Sequence, residues 1–142
     1  MIIGSYIGNL GDKRRTAIPK KFLALLGEKP ILAKWYEDCL ILVSGEIWER
    51  ILDRLTGGKK VLGLGVRDIE RFILGSAFEM EVDTQGRVIV PELLTEYAGL
   101  KKELVFVGLT DRVEIWAKEN WDKKTSELAR TTKEYIEELA KK

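Results

Sequence analysis

Histidine is absent from the 142-residue sequence, and Cys39 is its only cysteine. These absences exclude Ser-His-Asp and Cys-His catalytic groups, a disulfide within the chain, and zinc sites that need histidine or several thiolates. A magnesium or calcium site built from carboxylates alone stays open. Apart from such a carboxylate site, we expect no metal or cofactor, and the missing catalytic groups favour a protein that is not an enzyme.

Long apolar runs are also missing, since none approaches the roughly 18 residues that a membrane-spanning helix needs. The first six residues lack the basic start and the apolar stretch of a secretory signal peptide. Together with the single cysteine, these features predict a cytoplasmic protein that has no membrane partner.

The sequence does contain one pattern that occurs twice. A shift of 72 positions superimposes three residues of the two copies: Arg15 on Arg87, Pro19 on Pro91, and Gly27 on Gly99. Two copies of this length predict a duplicated half-domain rather than a long array of repeats. We predict a first copy at 1–55, a glycine-rich linker and connecting helix at 56–75, and a second copy with a C-terminal helix at 76–142.

Apolar spacing predicts the same order of elements in both copies. A strand is followed by a polar break, a short strand that ends at a proline, a short helix and a hairpin. In the first copy these are strands 2–10 and 15–18, helix 20–26, hairpin strands 30–35 and 39–44, and an amphipathic helix 45–55. The later elements are linker 56–65, helix 66–75, strands 77–82 and 87–90, a helix that ends at 98, hairpin strands 104–107 and 113–116, and helix 118–142.

The sharpest motif is the loop Asp83-Thr84-Gln85-Gly86-Arg87 of the second copy, which lies between two predicted strands. An aspartate at the end of a strand accepts backbone N–H groups and folds the chain back, and Gly86 permits a positive φ at the turn. Pro91, like Pro19, then ends the strand and begins a helix. Taken alone, this spacing is typical of a tight turn with a surface arginine.

The first copy departs from this motif. Gly11 stands where the second copy has its aspartate, and Arg14 stands where it has its glycine. An arginine in the left-handed conformation costs roughly 1–2 kcal/mol. We therefore expect a different turn, in which Gly11 supplies the positive φ and Asp12 caps the loop.

The corresponding segments of the two copies carry opposite charge. Residues 1–21 contain five cations and one carboxylate, whereas residues 79–91 contain one arginine and three carboxylates. Clustered cations bind phosphates by releasing counterions, and arginine suits guanine in the major groove. The candidate DNA-binding residues are Lys13, Arg14, Arg15, Lys20 and Lys21, with Arg87 as the equivalent of Arg15 in the second copy.

Arg87 is the weaker candidate because Glu79, Glu81 and Asp83 precede it and would repel phosphate. We expect Arg87 to pair with a carboxylate, from Asp83 or from a neighbour, and the second copy mainly to build the fold or the oligomer. Two alternatives stay open. The basic loop is a solvated turn without a ligand, or the acidic strand carries an acid–base hydrolase, although no nucleophile or base accompanies it.

The unit strand, Asp-x-x-Gly-Arg, strand, proline, helix resembles the AbrB/SpoVT swapped-hairpin element. Two such units in one chain resemble the MraZ family, and so do three further segments: Gly4-Ser5-Tyr6, Ala98-Gly99-Leu100, and the run from Val107 to Trp116. The resemblance covers essentially the whole chain, and it lies in the order and spacing of the motifs rather than in any one of them.

This resemblance implies an α+β fold, in which two tandem swapped-hairpin half-domains form a shared barrel-like β core flanked by helices. Asp12, Asp83, Gly86, Pro19 and Pro91 are then structural residues of the motif. The implied function is a sequence-specific DNA-binding transcriptional regulator, expected to repress a cell-division and cell-wall gene cluster. It is expected to act as a ring-shaped homo-oligomer on repeated promoter boxes of double-stranded DNA, in the cytoplasm and on the nucleoid.

A second hypothesis starts from the antitoxins that share the swapped-hairpin element. In this reading the chain is a protein-interaction module, and its C-terminal segment binds and neutralises a partner protein. Residues 126–142 look helical and balanced in charge, whereas such tails are usually poorly ordered alone, so the regulator is the preferred hypothesis.

Overall fold

The computed structural model of the chain describes residues 1–58 and 63–141. The strands in this part of the chain are β1 (Ile2–Asn9), β2 (Arg15–Ala17), β3 (Ile31–Trp35), β4 (Cys39–Val43), β5 (Phe78–Glu79), β6 (Arg87–Ile89), β7 (Glu103–Thr110) and β8 (Val113–Ala117). Its helices are α1 (Lys20–Leu26), α2 (Gly45–Thr56), α3 (Leu64–Ile73), α4 (Glu92–Ala98) and α5 (Lys118–Ala140). Residues 59–62 of the predicted linker and residue 142 of the predicted last helix lie outside the described residues.

The two copies are joined by exchanged strands. The six-stranded sheet has the order β1-β7-β8-β4-β3-β5, which places the first strand of each copy beside the hairpin of the other copy. β1 pairs with β7 and β5 pairs with β3, while β4 and β8 meet at the centre of the sheet, and all these pairs are antiparallel. The predicted α+β fold with swapped hairpins and a shared core is therefore confirmed.

A separate two-stranded ribbon, β2 with β6, lies on the axis that relates the copies. Its central pair is Thr16 with Val88. The two flanking pairs, Arg15 with Ile89 and Ala17 with Arg87, are equivalent under the 72-residue shift that relates the copies. Two further bonds follow the same symmetry: the backbone N–H of Ile18 donates to the carbonyl of Gly86 at 3.0 Å, and that of Val90 donates to Arg14 at 2.8 Å. The loop before β2 and the loop before β6 are thus each hydrogen-bonded to the other copy.

The large sheet buries a core on each of its two faces. Alternate residues of a strand point to opposite faces, so Leu40 and Leu42 join one core and Ile41 and Val43 join the other. The ribbon, α1 and α4 cover the first face, whereas α2, α3 and the start of α5 cover the second. The ribbon and the longer helices consequently lie on opposite sides of the molecule.

The amphipathic helix α2 illustrates how local sequence sets these elements. Ser44 caps its N-terminus, because the Ser44 hydroxyl accepts a hydrogen bond from the Ile47 backbone N–H at 3.3 Å. Gly57, in the left-handed conformation, ends the helix. Trp48 and Ile51 face the second core, as their spacing predicts.

Strand β5 is much shorter than the predicted strand 77–82. It pairs with β3 over only two residues, and the next backbone N–H, of Met80, donates to the Pro30 carbonyl at 2.8 Å. Pro30 has no N–H with which to continue the ladder. Before the N-terminal end of β5, the Lys34 backbone N–H donates to the Ser76 hydroxyl at 2.9 Å and not to a backbone carbonyl of a strand. The prediction was therefore wrong in length.

β7 extends to Thr110, beyond the predicted end of that strand at residue 107, so the hairpin turns later than predicted. Among the helices at 1–58 and 63–141, none is long and apolar enough to cross a membrane.

Candidate nucleic-acid interface

The outward face of the ribbon brings Arg15 and Arg87 together. The register pairs Arg15 with Ile89 and Ala17 with Arg87, so these four residues share one face and the two arginines lie diagonally across it. Thr16 and Val88 point inwards and are buried, whereas Ala17 and Ile89 are exposed and both arginines are half-buried. We call Arg15, Ala17, Arg87 and Ile89 the ribbon face.

The loop of the second copy is closed by the Asp83 carboxylate. One of its oxygens accepts the backbone N–H groups of Gln85 at 2.9 Å and Arg87 at 2.8 Å, and the other accepts the Arg87 Nε at 2.9 Å. Gly86 adopts a φ of +77°, and an added Cβ would lie 2.8 Å from Leu23 Cδ1. Asp83 thus closes the turn, Gly86 supplies its positive φ, and Arg87 pairs with Asp83.

These hydrogen bonds, first the one from the Arg87 backbone N–H, lower the pKa of Asp83 below its ordinary value of 3.8. A lowered carboxyl pKa contributes stability that is present above about 3.8 and is lost as the pH falls through the folded-state pKa. We therefore expect Asp83→Asn to be less stable than the parent at pH 7 and to come closer to the parent's stability at about pH 3, below the ordinary pKa of 3.8. Urea unfolding at both pH values measures this difference, and a deficit of equal size at both would contradict it.

The loop of the first copy is closed by the same backbone hydrogen bond, but its turn differs. The Gly11 backbone N–H donates to the Arg15 carbonyl at 2.7 Å, which matches the bond from Asp83 to Arg87 at 2.9 Å in the second copy. Lys13 and Arg14 both adopt left-handed conformations, with φ of 59° and 58°, whereas Gly11 has a φ of −88°. The expectations that Arg14 would avoid this region and that Gly11 would supply the positive φ were wrong.

Contacts with the second copy explain why Arg14 tolerates the left-handed conformation. The Arg14 Nε donates to the Val90 carbonyl at 2.9 Å, and the Arg14 carbonyl accepts the Val90 backbone N–H at 2.8 Å. These two bonds offset a conformational cost of roughly 1–2 kcal/mol. Within the described residues the Asp12 carboxylate makes no hydrogen bond, so the predicted Asp12 cap is not formed.

The cations of the first loop differ from Arg87 in their electrostatic surroundings. Over 1–58 and 63–141, none of the five makes a salt bridge: Lys13, Arg14, Arg15, Lys20 and Lys21. The ammonium of Lys21 lies 5.7 Å from the centre of the Tyr6 ring, where it remains exposed. Lys20 is the first residue of α1, and in the first turn of this helix the Phe22 backbone N–H donates to the Pro19 carbonyl at 2.9 Å. Pro91 precedes α4 in the same way. Within the described residues, no carboxylate therefore pairs with the positive charge of these five side chains.

Carboxylates border the ribbon face on one side. A groove of about 470 Å³ is lined by Arg15, Arg87 and the acidic segment that contains Glu79, Glu81 and Asp83. A polyanion is repelled on that side and attracted on the side of the first loop. In the part of the chain that the structure describes, no three acidic, histidine or cysteine side chains are arranged to hold a metal ion.

Sequence reasoning missed Ala17 and Ile89 as part of this surface, although the period of two along a strand places each beside an arginine. The tryptophans serve packing: Trp35, Trp48 and Trp116 are buried in the second core, and Trp121 packs against it. Cys39 is fully buried, and burial raises the pKa of its thiol.

Comparison with known proteins decides the family. Proteins named "Transcriptional regulator MraZ" align with nearly the whole chain. That of Caldanaerobacter subterraneus subsp. tengcongensis is 39% identical over 99% of this chain and 94% of its own length. The Leuconostoc citreum protein is 39% identical over 98% and 96%, and the Leuconostoc mesenteroides protein is 41% identical over 91% and 90%. The chain belongs to the MraZ family.

The MraZ family profile, described as "MraZ protein, putative antitoxin-like", matches residues 73–141. This range contains nearly the whole second copy, with the Asp83–Arg87 loop. The first copy, at 1–55, lies outside it. The MraZ relatives nevertheless align across both copies of this chain.

Proposed function

We propose that this MraZ-family chain is a sequence-specific, DNA-binding transcriptional regulator without enzymatic activity. The observation that carries the proposal is the set of five cations on and beside the first loop, which form no salt bridge in the described chain and of which Arg15 lies on the ribbon face. The naming of the relatives as transcriptional regulators supports the same conclusion.

The ribbon face suits the major groove of DNA. That groove admits a two-stranded β-ribbon, and an arginine on such a ribbon reads guanine through its O6 and N7 atoms. We assign base reading to Arg15, which has no acidic partner, and phosphate contacts to Lys13, Lys20 and Lys21, which are exposed. Arg14 and Arg87 support the loops, since each is already hydrogen-bonded within the subunit.

Several copies acting together would make this modest surface effective. The whole chain has a net charge of only +1, so a single subunit offers few phosphate contacts. In a ring-shaped homo-oligomer several first loops face repeated promoter boxes, and linked weak contacts sum to tight binding. We propose this assembly for the protein, on the nucleoid in the cytoplasm, with repression of a cell-division and cell-wall gene cluster as its output.

Titration of the purified protein with the DNA upstream of its own gene tests this function. We expect binding to intact upstream DNA to survive an excess of unrelated competitor DNA, and the affinity to fall steeply between 50 and 200 mM salt because counterions are released. A regulator of this kind is contradicted if shuffled DNA of the same composition binds equally well at every salt concentration.

The protein-interaction alternative is favoured by one observation, the exposed second half of α5. Such a module would capture a partner protein through residues of α5 and would be indifferent to DNA. Pull-down with the full chain and with a chain that ends at residue 117 distinguishes the two functions. Partner capture that needs α5, without any binding to upstream DNA, would favour the module.

A further inference from the structure

Ile89 is an exposed apolar residue in the middle of a surface that carries two arginines. Its neighbours along the chain, Val88 and Val90, are 2% and 0% exposed, whereas Ile89 is 46% exposed. A single apolar residue on a protein surface needs no explanation by itself. Ile89 differs from such residues because its cross-strand partner is Arg15, which makes no salt bridge among residues 1–58 and 63–141.

The same arrangement occurs in both copies. The 72-residue shift that superimposes Arg15 on Arg87 also superimposes Ala17 on Ile89. Each copy therefore places an arginine and, two residues later, an exposed apolar side chain on the ribbon face. The two apolar positions differ in size and in surroundings, because Ala17 is small and its partner Arg87 donates to the Asp83 carboxylate at 2.9 Å. Ile89 offers the larger apolar surface, and it lies beside the arginine that has no acidic partner.

The four side chains of the ribbon face contain hydrogen-bond donors and methyl groups but no acceptor. A guanidinium only donates, and alanine and isoleucine do neither. In the major groove, adenine and cytosine present amino groups that need an acceptor, whereas thymine presents a 5-methyl group beside its O4 atom. An apolar side chain at this surface therefore suits a methyl group and does not suit an amino group.

We infer that Ile89 determines part of the sequence specificity by contacting the 5-methyl group of a thymine, next to the base that Arg15 contacts. The Cβ atoms of directly paired residues lie about 4.5–5.5 Å apart on one face of a ribbon. Successive bases of one DNA strand are about 3.4 Å apart, so the side chains of Arg15 and Ile89 can reach neighbouring bases. The inference rests on the proposed function and deepens it by naming the chemical group that the apolar part of the ribbon face recognises.

This contact distinguishes thymine from cytosine for two reasons. Thymine gains the burial of its methyl group against Ile89, which removes apolar surface from water. Cytosine lacks that methyl group and presents an amino group, which loses water at an apolar side chain without gaining an acceptor. The carboxylates that line the neighbouring groove repel phosphates, but they exert no such repulsion on a methyl group, which carries no net charge.

Replacement of thymine by uracil throughout the upstream DNA tests the contact. Uracil lacks only the 5-methyl group and keeps the atoms that pair with adenine. We expect the parent to bind the uracil DNA roughly fourfold more weakly for each promoter box that it contacts, which is the effect of leaving one methyl group in water. Gel-shift titration at fixed salt compares the two DNAs. Equal affinity for both overturns the inference.

The variant Ile89→Ala assigns the methyl contact to a residue. It should bind thymine DNA about as weakly as the parent binds uracil DNA, and uracil should then cause no further loss beyond about twofold, since two changes at one contact are not additive. An undiminished uracil effect in Ile89→Ala overturns the inference, because another group then contacts the methyl. If circular dichroism shows that Ile89→Ala is unfolded, Ile89→Val takes its place, and its uracil effect should be smaller than that of the parent.

Ile3→Ala is the matched control. Ile3 is 56% exposed and lies near the start of β1, whereas the first loop follows the end of that strand. This variant should keep the parent's affinity and the full uracil effect. Light scattering without DNA should give the same mass for the parent and both variants, so that a lost uracil effect does not reflect a change in assembly. A uracil effect that is lost equally in Ile3→Ala and Ile89→Ala overturns the inference.

Failure of this contact is distinguishable from failure of the proposed function. Shuffled DNA of the same composition is included in each titration. If the parent prefers upstream DNA to shuffled DNA but binds uracil DNA and thymine DNA equally, the regulator stands and the inference is wrong. If the parent shows no preference for upstream DNA, both are wrong.

Discussion

Arg15→Ala is expected to lose most of the affinity for upstream DNA. A guanine contact of a single arginine contributes about 1–3 kcal/mol, or roughly 5- to 150-fold in affinity, and the loss multiplies over the subunits that bind one DNA molecule. Arg15 makes no ion pair in the described chain and lies on the ribbon face. Gel-shift titration at fixed salt measures the effect, and light scattering should show an unchanged oligomer.

Two control variants distinguish the effect of losing a side chain at position 15 from the effect of losing one positive charge. Arg50→Ala removes an equal charge from α2, on the opposite side of the sheet, and should leave the affinity within about twofold of the parent. Arg87→Ala breaks the pair with Asp83 at 2.9 Å, so it should act mainly through stability or assembly. Undiminished binding by Arg15→Ala would contradict the assignment of this site.

Gly108→Ala is expected to destabilise the whole fold by about 1–3 kcal/mol, because overpacking of a closely packed strand pair carries a cost of this order. A Cβ on Gly108 would lie 2.8 Å from the backbone nitrogen of Ile3 and 2.9 Å from Ile2 Cγ2. Backbone atoms cannot move aside as a flexible side chain can, so β1 must shift away from β7. This pair joins the first copy to the second along eight residues.

Thermal and urea unfolding measure the loss, with Gly45→Ala as the matched control. An added Cβ at Gly45 meets no atom within 4 Å, and the residue begins α2, where alanine is well tolerated. The control should therefore be as stable as the parent or slightly more stable. Equal stability of the two variants would contradict the close exchange of strands between the copies.

Much of the fold was predictable because local sequence and backbone geometry agree. Pro19 and Gly27 bound the predicted helix 20–26, and α1 spans Lys20–Leu26. The spacing of apolar residues likewise located α2 and the hairpins of β3 with β4 and β7 with β8. The duplication, read from Arg15 and Arg87, corresponds to a real symmetry, since these two residues exchange places across the β2–β6 ribbon.

The errors arose where contacts between the copies override local preference. Glycine is favoured at a positive φ, yet Arg14 occupies it and Gly11 does not, because the backbone of the first loop is held by Val90 of the other copy. No local signal predicts such a bond. The length of strand β5 was overestimated for a similar reason. Its pairing with β3 ends at Pro30, which belongs to the first copy.

The candidate site was predicted in part. Charge counting identified the basic loop and the acidic second copy, and the pairing of Arg87 with Asp83 was predicted from the motif. The ribbon face was not, since neither copy contains it alone: one edge comes from β2 and the other from β6. The involvement of Arg14 in a contact between the copies is likewise a property of the assembled fold.

Photo-crosslinking measures whether the ribbon face contacts DNA. A photo-crosslinking amino acid is placed at position 17, an exposed site between the two arginines, or at position 49, an exposed site on the opposite side of the sheet. Upon irradiation with upstream DNA, we predict covalent attachment from position 17 and none from position 49. Attachment from position 49 alone, in a protein that binds DNA normally, would show that DNA meets the other side of the molecule.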